Sequence, residues 1–352
     1  MSTYRMLTDK VYMETNHYFT NAQIDALVAA GHNVICNRVG IDDGDETLAL
    51  AQRCDAKGVF YAPWTRWTKQ LDDADNEFTL LDGTVTGIAS PYSTSLWSTI
   101  ESTVTDHAVM TASASSMWGL FADLEIYTTD LDDLSYQSSI ASGGSGYATC
   151  YSQQAMEHFA FTNEIICPVA AGEDREAWLE GENLHDEYKA WLAAYYLTQF
   201  ESLLDTVLTH TDQFHLAIWS AANNPFVRAA VTAWQNKGLP DVIVMSSSYG
   251  PDENTLMAEL QDLYTDEASA AATWHGYGAK YVTGLTPYRT GGQYRSPYAM
   301  ACAARMGIEA ADGYWIWFEG QDAIDRTQDY HDDMAVVNKD DHWTDKLVKI
   351  WG

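Results

Sequence analysis

The amino-acid sequence predicts an α/β fold, a single (β/α)8 TIM-barrel domain that spans residues 1–352. Short apolar runs typical of buried strands alternate with amphipathic stretches typical of helices, and this alternation occurs eight times. Strands separated by helices pair in parallel through right-handed crossovers, and eight such units are the number that closes a barrel. A doubly wound open sheet is the alternative, but YMETNHYFTN after the first strand is not the G-x-G-x-x-G of its dinucleotide-binding form.

Four strands and their helices are predicted in the first half of the chain. The first strand, at about 6–13, leads into FTNAQIDALVAAGHN, a helix in which Thr20 and Gln23 form a capping box. NVICNRVG is the second strand, DETLALAQRCDAKG is a helix that Gly58 closes, and VFYAPW is the third strand. The Leu-Asp-Gly turn in FTLLDGTVTGIA predicts a β-hairpin inserted after the third strand. A helix in STSLWSTIESTVTDHAVMTA then leads to WGLFADLEIY, the fourth strand.

The second half of the chain begins with a long Gly/Ser/Asp-rich loop, TTDLDDLSYQSSIASGGSGYATC. A loop of this length inside a compact domain is more often functional than not. Two helices are predicted after it, near 151–164 and 184–209. The remaining strands and the helices that follow them are HLAIWS with 224–236, DVIVMSSSY with 255–274, AKYVTGLTPYR with 297–306, and DGYWIWFEG with 343–351.

The charge of the chain predicts a halophile-type acidic protein. Fifty Asp and Glu residues against 19 Lys and Arg give a formal net charge of −31, and the acidic residues are spread along the chain. Molar salt shortens the Debye length to about 3 Å, which screens the self-repulsion of such a surface. An ordinary acidic surface is the alternative interpretation. Nucleic acid is not expected as a partner, because phosphate backbones require clustered Lys and Arg.

The five cysteines carry no C-x-x-C motif and no Cys/His ligand spacing. We expect them to be mostly buried thiols, with Cys150 and Cys167 as the one candidate pair. The amino terminus MSTYRMLTDKVY has no apolar signal-peptide core, and no run of 18 apolar residues predicts a membrane span. A cytoplasmic protein in a high-salt environment is therefore expected, with export by another route and the oligomeric state left open.

Carboxylates and aromatic side chains dominate the predicted carboxyl ends of the strands, where the active site of a barrel lies. An aromatic ring can stack on the C–H face of a sugar while polar groups bind its hydroxyls, so this rim suits a carbohydrate substrate. The predicted substrate-binding residues are Glu14, Arg38, Trp64, Trp67, Tyr127, Trp219, Tyr288, Arg289, Trp315 and Trp317.

Asp123 and Glu125 are the predicted catalytic pair on the fourth strand. Residues two apart on a strand point to the same side, with their Cα atoms about 7 Å apart. In a partly desolvated site their mutual repulsion raises the pKa of one carboxyl, so that one acid is protonated while the other is ionised. Cleavage of a glycosidic bond needs this division of labour.

The motif FADLE resembles the catalytic strand of family 18 chitinases and related endo-N-acetylglucosaminidases, and VMSSSY and GYWIWFE strengthen the likeness. The resemblance implies that Glu125 protonates the glycosidic oxygen and that Asp123 orients a substrate acetamido group that acts as the nucleophile. It also implies that Tyr249 supports this group and that Trp315 or Trp317 forms the floor of the subsite. The chain departs from the family in two places, because Phe121 stands where a further Asp is usual, and Gly250 follows Tyr249 where the family has Asp.

The rim holds one candidate for a second catalytic carboxylate and one candidate set of metal ligands. The seventh strand, YVTGLTPYRT, has no carboxylate, which disfavours the large retaining clan with its nucleophile there, so Glu319 is the candidate. A salt bridge from Glu319 to Arg38 or Arg289 is the alternative role. No cofactor or metal is expected, since the ten histidines form no H-x-H or H-E-x-x-H motif. The absence of G-x-S-x-G disfavours a serine hydrolase. Glu14, His17 and Asp123 are the residues that a metal centre would use.

These observations together predict a glycoside hydrolase. Two alternatives stay open: a carbohydrate-binding barrel without catalysis, such as part of a surface or virion assembly, and a metal-dependent hydrolase. The binding barrel would use the same aromatic rim but would not need an acid of raised pKa, whereas the metal-dependent enzyme would lose activity on chelation.

Overall fold

Parallel strands that close into a barrel form the centre of the computed structural model, with helices between them in the chain. The structure describes residues 9–14, 19–29, 32–37, 44–67, 77–79, 85–124, 150–166, 175–219, 225–246, 257–285, 304 and 307–318. The barrel strands are β1 Asp9–Glu14, β2 Val34–Asn37, β3 Phe60–Arg66, β6 Gly119–Asp123, β7 His215–Trp219, β8 Ile243–Met245, β9 Lys280–Leu285 and β10 Gly313–Phe318. The α/β class predicted from the sequence is confirmed.

Each barrel strand pairs in parallel with two neighbours, in the order β1, β2, β3, β6, β7, β8, β9 and β10, and β10 pairs with β1. Two further strands, β4 Glu77–Thr79 and β5 Val85–Ala89, pair antiparallel as a separate two-stranded sheet. They lie between β3 and β6 in the chain, where the sequence predicts a hairpin. The turn that joins them falls outside the described residues.

The helices follow the strands in the predicted order. They are α1 Asn21–Ala29, α2 Gly44–Asp55, α3 Thr94–Ser113, α4 Gln153–Thr162, α5 Arg175–Gly181, α6 His185–Leu208, α7 Pro225–Asn236 and α8 Met257–Tyr277. The short helix α5 was not predicted from the sequence. The long loop after the fourth strand, most of the helix at 297–306 and the helix at 343–351 lie outside the described residues.

Side-chain caps fix the starts of several helices. At α1 the backbone N–H of Thr20 donates to Gln23 Oε1 (2.8 Å) and the N–H of Gln23 donates to Thr20 Oγ1 (3.3 Å), so the predicted capping box is present. Ser93 and Ser152 cap α3 and α4 by accepting from the N–H groups of Leu96 and Ala155. The local sequence therefore sets where the chain turns from strand or loop into helix.

Alternation along the strands divides the buried side chains between the inside of the barrel and the helix layer. One buried cluster takes every second residue of its strands, for example Val34 and Cys36, or Ile243 and Met245, and it fills the barrel interior. The intervening residues pack outward against the helices in two larger clusters, as Leu216 and Ile218 do on β7.

Strand β6 lies against β7 so closely that its first residue must be glycine. Gly119 has φ of +134°, and a Cβ on it would lie 2.0 Å from the carbonyl oxygen of His215. Only glycine combines this backbone conformation with this approach. The Gly119 position therefore fixes the pairing of the strand that carries the predicted catalytic motif.

The cysteines that the structure describes at Cys36, Cys54 and Cys150 are buried free thiols. The Sγ of Cys150 accepts a hydrogen bond from Ser90 Oγ at 2.9 Å. The candidate pair of Cys150 with Cys167 is wrong, because Cys150 is a free thiol; Cys167 itself lies outside the described residues. Among the described helices, none has both the length and the apolar character that a membrane crossing requires.

Candidate active site

The carboxyl ends of three neighbouring strands place Asp123, Trp219 and Met245 in one row. Asp123 of β6 pairs in register with Trp219 of β7, which pairs with Met245 of β8. Register partners in a parallel sheet face the same side, and Trp219 and Met245 belong to the cluster inside the barrel. The Asp123 side chain therefore faces the barrel interior, at the end of the barrel where the strands have their carboxyl ends.

The Asp123 carboxyl group is nearly fully enclosed, with a relative exposure of 1%. The charge of Asp123 acts on Cys36 of β2. Burial, and then this negative charge, raise the pKa of the Cys36 thiol well above its usual range. Both side chains lie on the inner face of the barrel, since Cys36 belongs to the interior cluster and Asp123 is in register with Trp219. Cys36 was not singled out from the sequence.

Trp219 and Trp315 form an aromatic pair beside Asp123. Their ring centroids are 6.2 Å apart and the rings are nearly perpendicular, at 74°. Trp315 is fully buried and its indole Nε1–H donates to the backbone carbonyl of Ser246 (2.9 Å). Trp219 is only partly buried, and its Nε1–H has no hydrogen-bond partner within the part of the chain that the structure describes. Trp219 thus exposes part of its ring at the barrel mouth, while its Nε1–H is enclosed.

The two tryptophans predicted on the third strand lie on opposite faces of β3 and its carboxyl end. Trp64 is inside the barrel, with its ring centroid 6.2 Å from that of Phe121, and it is 1% exposed. Trp67 packs outward in the helix-layer cluster, 6.4 Å from the ring of Phe200 on α6. The structure therefore does not bring Trp67 to the barrel mouth, and it encloses Trp64 within the core.

The structure describes only the backbone of two further predicted site residues. Glu14 ends β1 and pairs with Asn37 and Phe318, and Trp317 of β10 pairs with Met13. The N–H of Leu124 donates to the Trp219 carbonyl (3.4 Å), so the pairing of β6 with β7 continues to the residue before Glu125. The predicted site residues outside the described ranges are Arg38, Glu125, Tyr127, Tyr249, Tyr288, Arg289 and Glu319.

The opposite, amino-terminal end of the barrel holds a partly buried histidine whose two ring nitrogens are enclosed. His215, the first residue of β7, stacks on Trp118 with ring centroids 4.8 Å apart and an interplanar angle of 6°. Burial, together with the positive charge of Lys280, lowers the pKa of His215 from 6.5 to about 3. The imidazole is therefore neutral at physiological pH, and its place at the far end of β7 separates it from the candidate site.

No group of three or more His, Cys, Asp or Glu side chains among the described residues has an arrangement that could hold a metal ion. His17, which the metal alternative requires, falls outside those residues. The alternative therefore gains no support from the described part of the barrel.

Sequence reasoning missed Glu267 of α8, a carboxylate that is only 5% exposed. It accepts a hydrogen bond from Ser246 Oγ (3.2 Å), the residue whose carbonyl holds Trp315. A signal was present: Tyr264, Glu267, Ala271 and Trp274 recur at the three- and four-residue spacing of one helix face. A carboxylate in that stripe predicts a buried polar contact.

No family model matches this sequence, and no curated protein matches it. Solved structures are similar in fold. The β-galactosidase from Bacillus circulans sp. alkalophilus has a TM-score of 0.59 at 11% identity, over 94% of this chain and 55% of that chain. The catalytic domain of β-amylase from Paenibacillus polymyxa has a TM-score of 0.49 at 11% identity, over 88% and 91%. A GH5-4 broad specificity endoglucanase from Clostridium longisporum has a TM-score of 0.44 at 12% identity, over 92% and 87%.

At 11% identity, the likeness to the β-galactosidase shows the fold alone. This chain spans about half the length of the β-galactosidase chain that it matches. The chemistry must therefore be argued from the side chains at the barrel mouth.

Proposed function

We propose that this protein is a glycoside hydrolase whose active site lies at the carboxyl ends of the barrel strands. One observation carries the proposal: the enclosed Asp123 carboxyl lies in register with Trp219, a partly exposed tryptophan at the same mouth whose enclosed Nε1–H has no partner among the described residues. A sugar has an apolar C–H face and a ring of hydroxyls, so an aromatic surface, a donor and a carboxylate are the groups that it requires.

Glu125 is the proposed general acid/base and Asp123 its partner. Glu125 donates a proton to the glycosidic oxygen as the C–O bond breaks, and water then supplies hydroxide to the anomeric carbon and returns a proton to Glu125. Asp123, ionised and two residues earlier, keeps Glu125 protonated by repulsion until the leaving group takes the proton. The low-dielectric setting of Asp123 strengthens this coupling, because charges interact more strongly when water is excluded.

The aromatic wall of the proposed site is formed by Trp219 and Trp315. Trp219 offers its partly exposed ring to a sugar. Its Nε1–H is enclosed and has no partner among the described residues, and we assign a hydroxyl of the bound sugar as its acceptor. Trp315 supports Trp219 edge-on from the interior. Trp64 and Trp67 are not part of this wall, since Trp64 packs on Phe121 inside the barrel and Trp67 packs on Phe200 in the helix layer.

The resemblance to family 18 supplies a more specific form of the proposal. In this form Asp123 orients an acetamido group of the substrate and Tyr249 supports that group. Trp315 or Trp317 forms the floor of the subsite. Glu319 is the candidate second carboxylate if the substrate has no acetamido group to assist. The proposal takes the chain as one salt-adapted (β/α)8 domain over residues 1–352, with the hairpin and the long loop as insertions.

A cleavage screen at molar KCl tests the proposal. Wild-type protein is incubated with soluble starch, β-1,4-galactan, carboxymethyl-cellulose and glycol chitin, and reducing ends are measured. We expect one polysaccharide to be cleaved, and Asp123→Asn to lower its turnover by about a hundredfold because the carboxylate charge is lost. The matched control is Asp262→Asn, an exposed carboxylate on α8, which retains turnover.

The screen also separates the two chemical alternatives. Cleavage of glycol chitin alone supports the substrate-assisted form, and cleavage that EDTA abolishes supports a metal-dependent hydrolase. Binding of a polysaccharide with no release of reducing ends contradicts the proposal in favour of a carbohydrate-binding barrel. The partly exposed Trp219 beside Trp315 would serve that second function equally well.

A further inference from the structure

Ser246 connects three elements around the candidate site. It follows β8 directly, and its backbone N–H donates to the carbonyl of Val282 on β9 (2.9 Å). Its carbonyl accepts from the Trp315 indole on β10 (2.9 Å), and its hydroxyl donates to Glu267 Oε1 on α8 (3.2 Å). One small residue thus links a tryptophan inside the barrel to a carboxylate outside it.

Glu267 is held in an apolar part of the helix layer. It shares a helix face with Ala271 and Trp274, both buried in the outer cluster. The Tyr281 hydroxyl is hydrogen-bonded to both Glu267 and Ser246, and burial, followed by the charge of Glu267, raises the pKa of that tyrosine. A buried carboxylate without partners is strongly unfavourable, whereas an apolar side chain would fill the same space at no such cost. Compared with an apolar side chain, the Glu267 carboxylate therefore adds the hydrogen bonds to Ser246 and Tyr281.

Trp315 contacts both Ser246 and the tryptophan at the barrel mouth. Its indole is fixed at Nε1 by the Ser246 carbonyl, and its ring meets Trp219 edge-on. Trp219 lies in register with Asp123. A rotation of the Trp315 ring would therefore change the surface that Trp219 offers beside the carboxylate.

We propose that Glu267 is a positioning residue that acts through Ser246 to set the orientation of Trp315, and so the shape of the wall formed by Trp219 and Trp315. The part of this proposal that concerns sugar binding rests on the proposed function. Glu267 does not touch the substrate, because it lies on the helix side of the strands.

Two variants of Glu267 and one matched control test the proposal in the full chain. Glu267→Leu removes both hydrogen bonds, Glu267→Gln keeps an acceptor oxygen for the Ser246 hydroxyl, and Asp266→Leu changes the neighbouring exposed carboxylate on α8. The first readout is the NMR spectrum of the tryptophan indole N–H groups. The peaks of Trp315 and Trp219 are assigned as those missing from Trp315→Phe and Trp219→Phe.

We expect Glu267→Leu to move both indole peaks, and Glu267→Gln and Asp266→Leu to leave them close to their wild-type positions. With the polysaccharide that the screen identifies, Glu267→Leu should raise KM about tenfold while kcat stays within about twofold, since binding is disturbed and the acid is not. Glu267→Gln should restore KM. Indole peaks that do not move in Glu267→Leu, or that move equally in Asp266→Leu, overturn the proposal, as does a fall in kcat as large as the rise in KM.

Ser246→Ala keeps the inference testable if Glu267→Leu does not fold. It removes the hydroxyl and retains the carbonyl that accepts from Trp315, so the two peaks should move in the same direction by a smaller amount. Unmoved peaks in a folded Ser246→Ala protein overturn the proposal. The NMR readout needs no substrate, so a protein that cleaves no polysaccharide refutes the proposed function while the peaks still decide the role of Glu267.

Discussion

His215 should make the folded protein sensitive to mild acid. Burial and the charge of Lys280 hold the pKa of this imidazole at about 3, against 6.5 for an exposed histidine. As the pH falls, the unfolded chain therefore binds a proton at His215 well before the folded chain does. The stability due to the neutral imidazole is complete above about pH 6.5 and is lost progressively down to about pH 3.

The size of this loss follows from the shift in pKa. Each pH unit within this window costs about 1.4 kcal/mol, so His215 alone should lower the free energy of unfolding by about 2 kcal/mol between pH 7 and pH 5. His215→Gln loses the stacking on Trp118 at every pH. It should also remove the part of the pH dependence that comes from protonation of His215. His210→Gln, at an exposed histidine, should keep it.

Urea unfolding at pH 7, 6 and 5 in constant molar KCl measures the effect. The other titrating groups are common to all three proteins, so their contribution cancels when the slopes are compared. Equal slopes for wild type and His215→Gln would show that His215 takes up a proton in the folded state, and the argument from burial would then be refuted.

Three further predictions concern the strand pairing, the acidic surface and the barrel mouth. Gly119→Ala should cost more than about 3 kcal/mol in urea unfolding because of the 2.0 Å approach to the His215 carbonyl, whereas Gly58→Ala, with φ of +70° and no atom within 4 Å, should cost about 1 kcal/mol. The net charge of −31 predicts that the thermal midpoint by circular dichroism rises by about 10 °C or more from dilute buffer to molar KCl, and a midpoint independent of KCl contradicts salt adaptation. Trp219→Phe keeps a ring but loses the unused N–H, so calorimetry should show affinity for the cleaved polysaccharide falling about tenfold, and an unchanged affinity contradicts its role as a donor.

The fold could be predicted from the sequence because its signals are local. The hydrogen bonds between Thr20 and Gln23 are a short-range pattern, and the period-two spacing of Val34 and Cys36 is another. Helix α5 was missed because it is only seven residues long, REAWLEG, which is too short to display an apolar period.

The candidate site could be predicted only in part, because the direction of a side chain depends on strand register. Trp64 and Trp67 both stand near the end of β3, but they are three residues apart and so face opposite sides of the sheet. Both are tryptophans near the predicted end of the same strand, so the sequence alone predicted both at the rim. Asp123 differs, since its register with Trp219 places it on the inner face.

The link from Glu267 to Trp315 could not be predicted, since it joins residues that are distant in the chain. Ser246 contacts Glu267 across 21 positions and Trp315 across 69. No local pattern predicts such pairs, which depend on the parallel pairing of β9 with both β8 and β10. The apolar stripe around Glu267 indicates a buried carboxylate but not its partner.

The turnover of Glu125→Gln on the polysaccharide that wild type cleaves tests the central claim most directly. The amide cannot donate the proton that the leaving oxygen needs, so kcat should fall by a factor of about 10² to 10⁴, with binding by calorimetry and the far-ultraviolet spectrum unchanged. Glu180→Gln, at an exposed carboxylate on α5, should retain wild-type turnover. Wild-type hydrolysis by Glu125→Gln on the same polysaccharide would contradict the account.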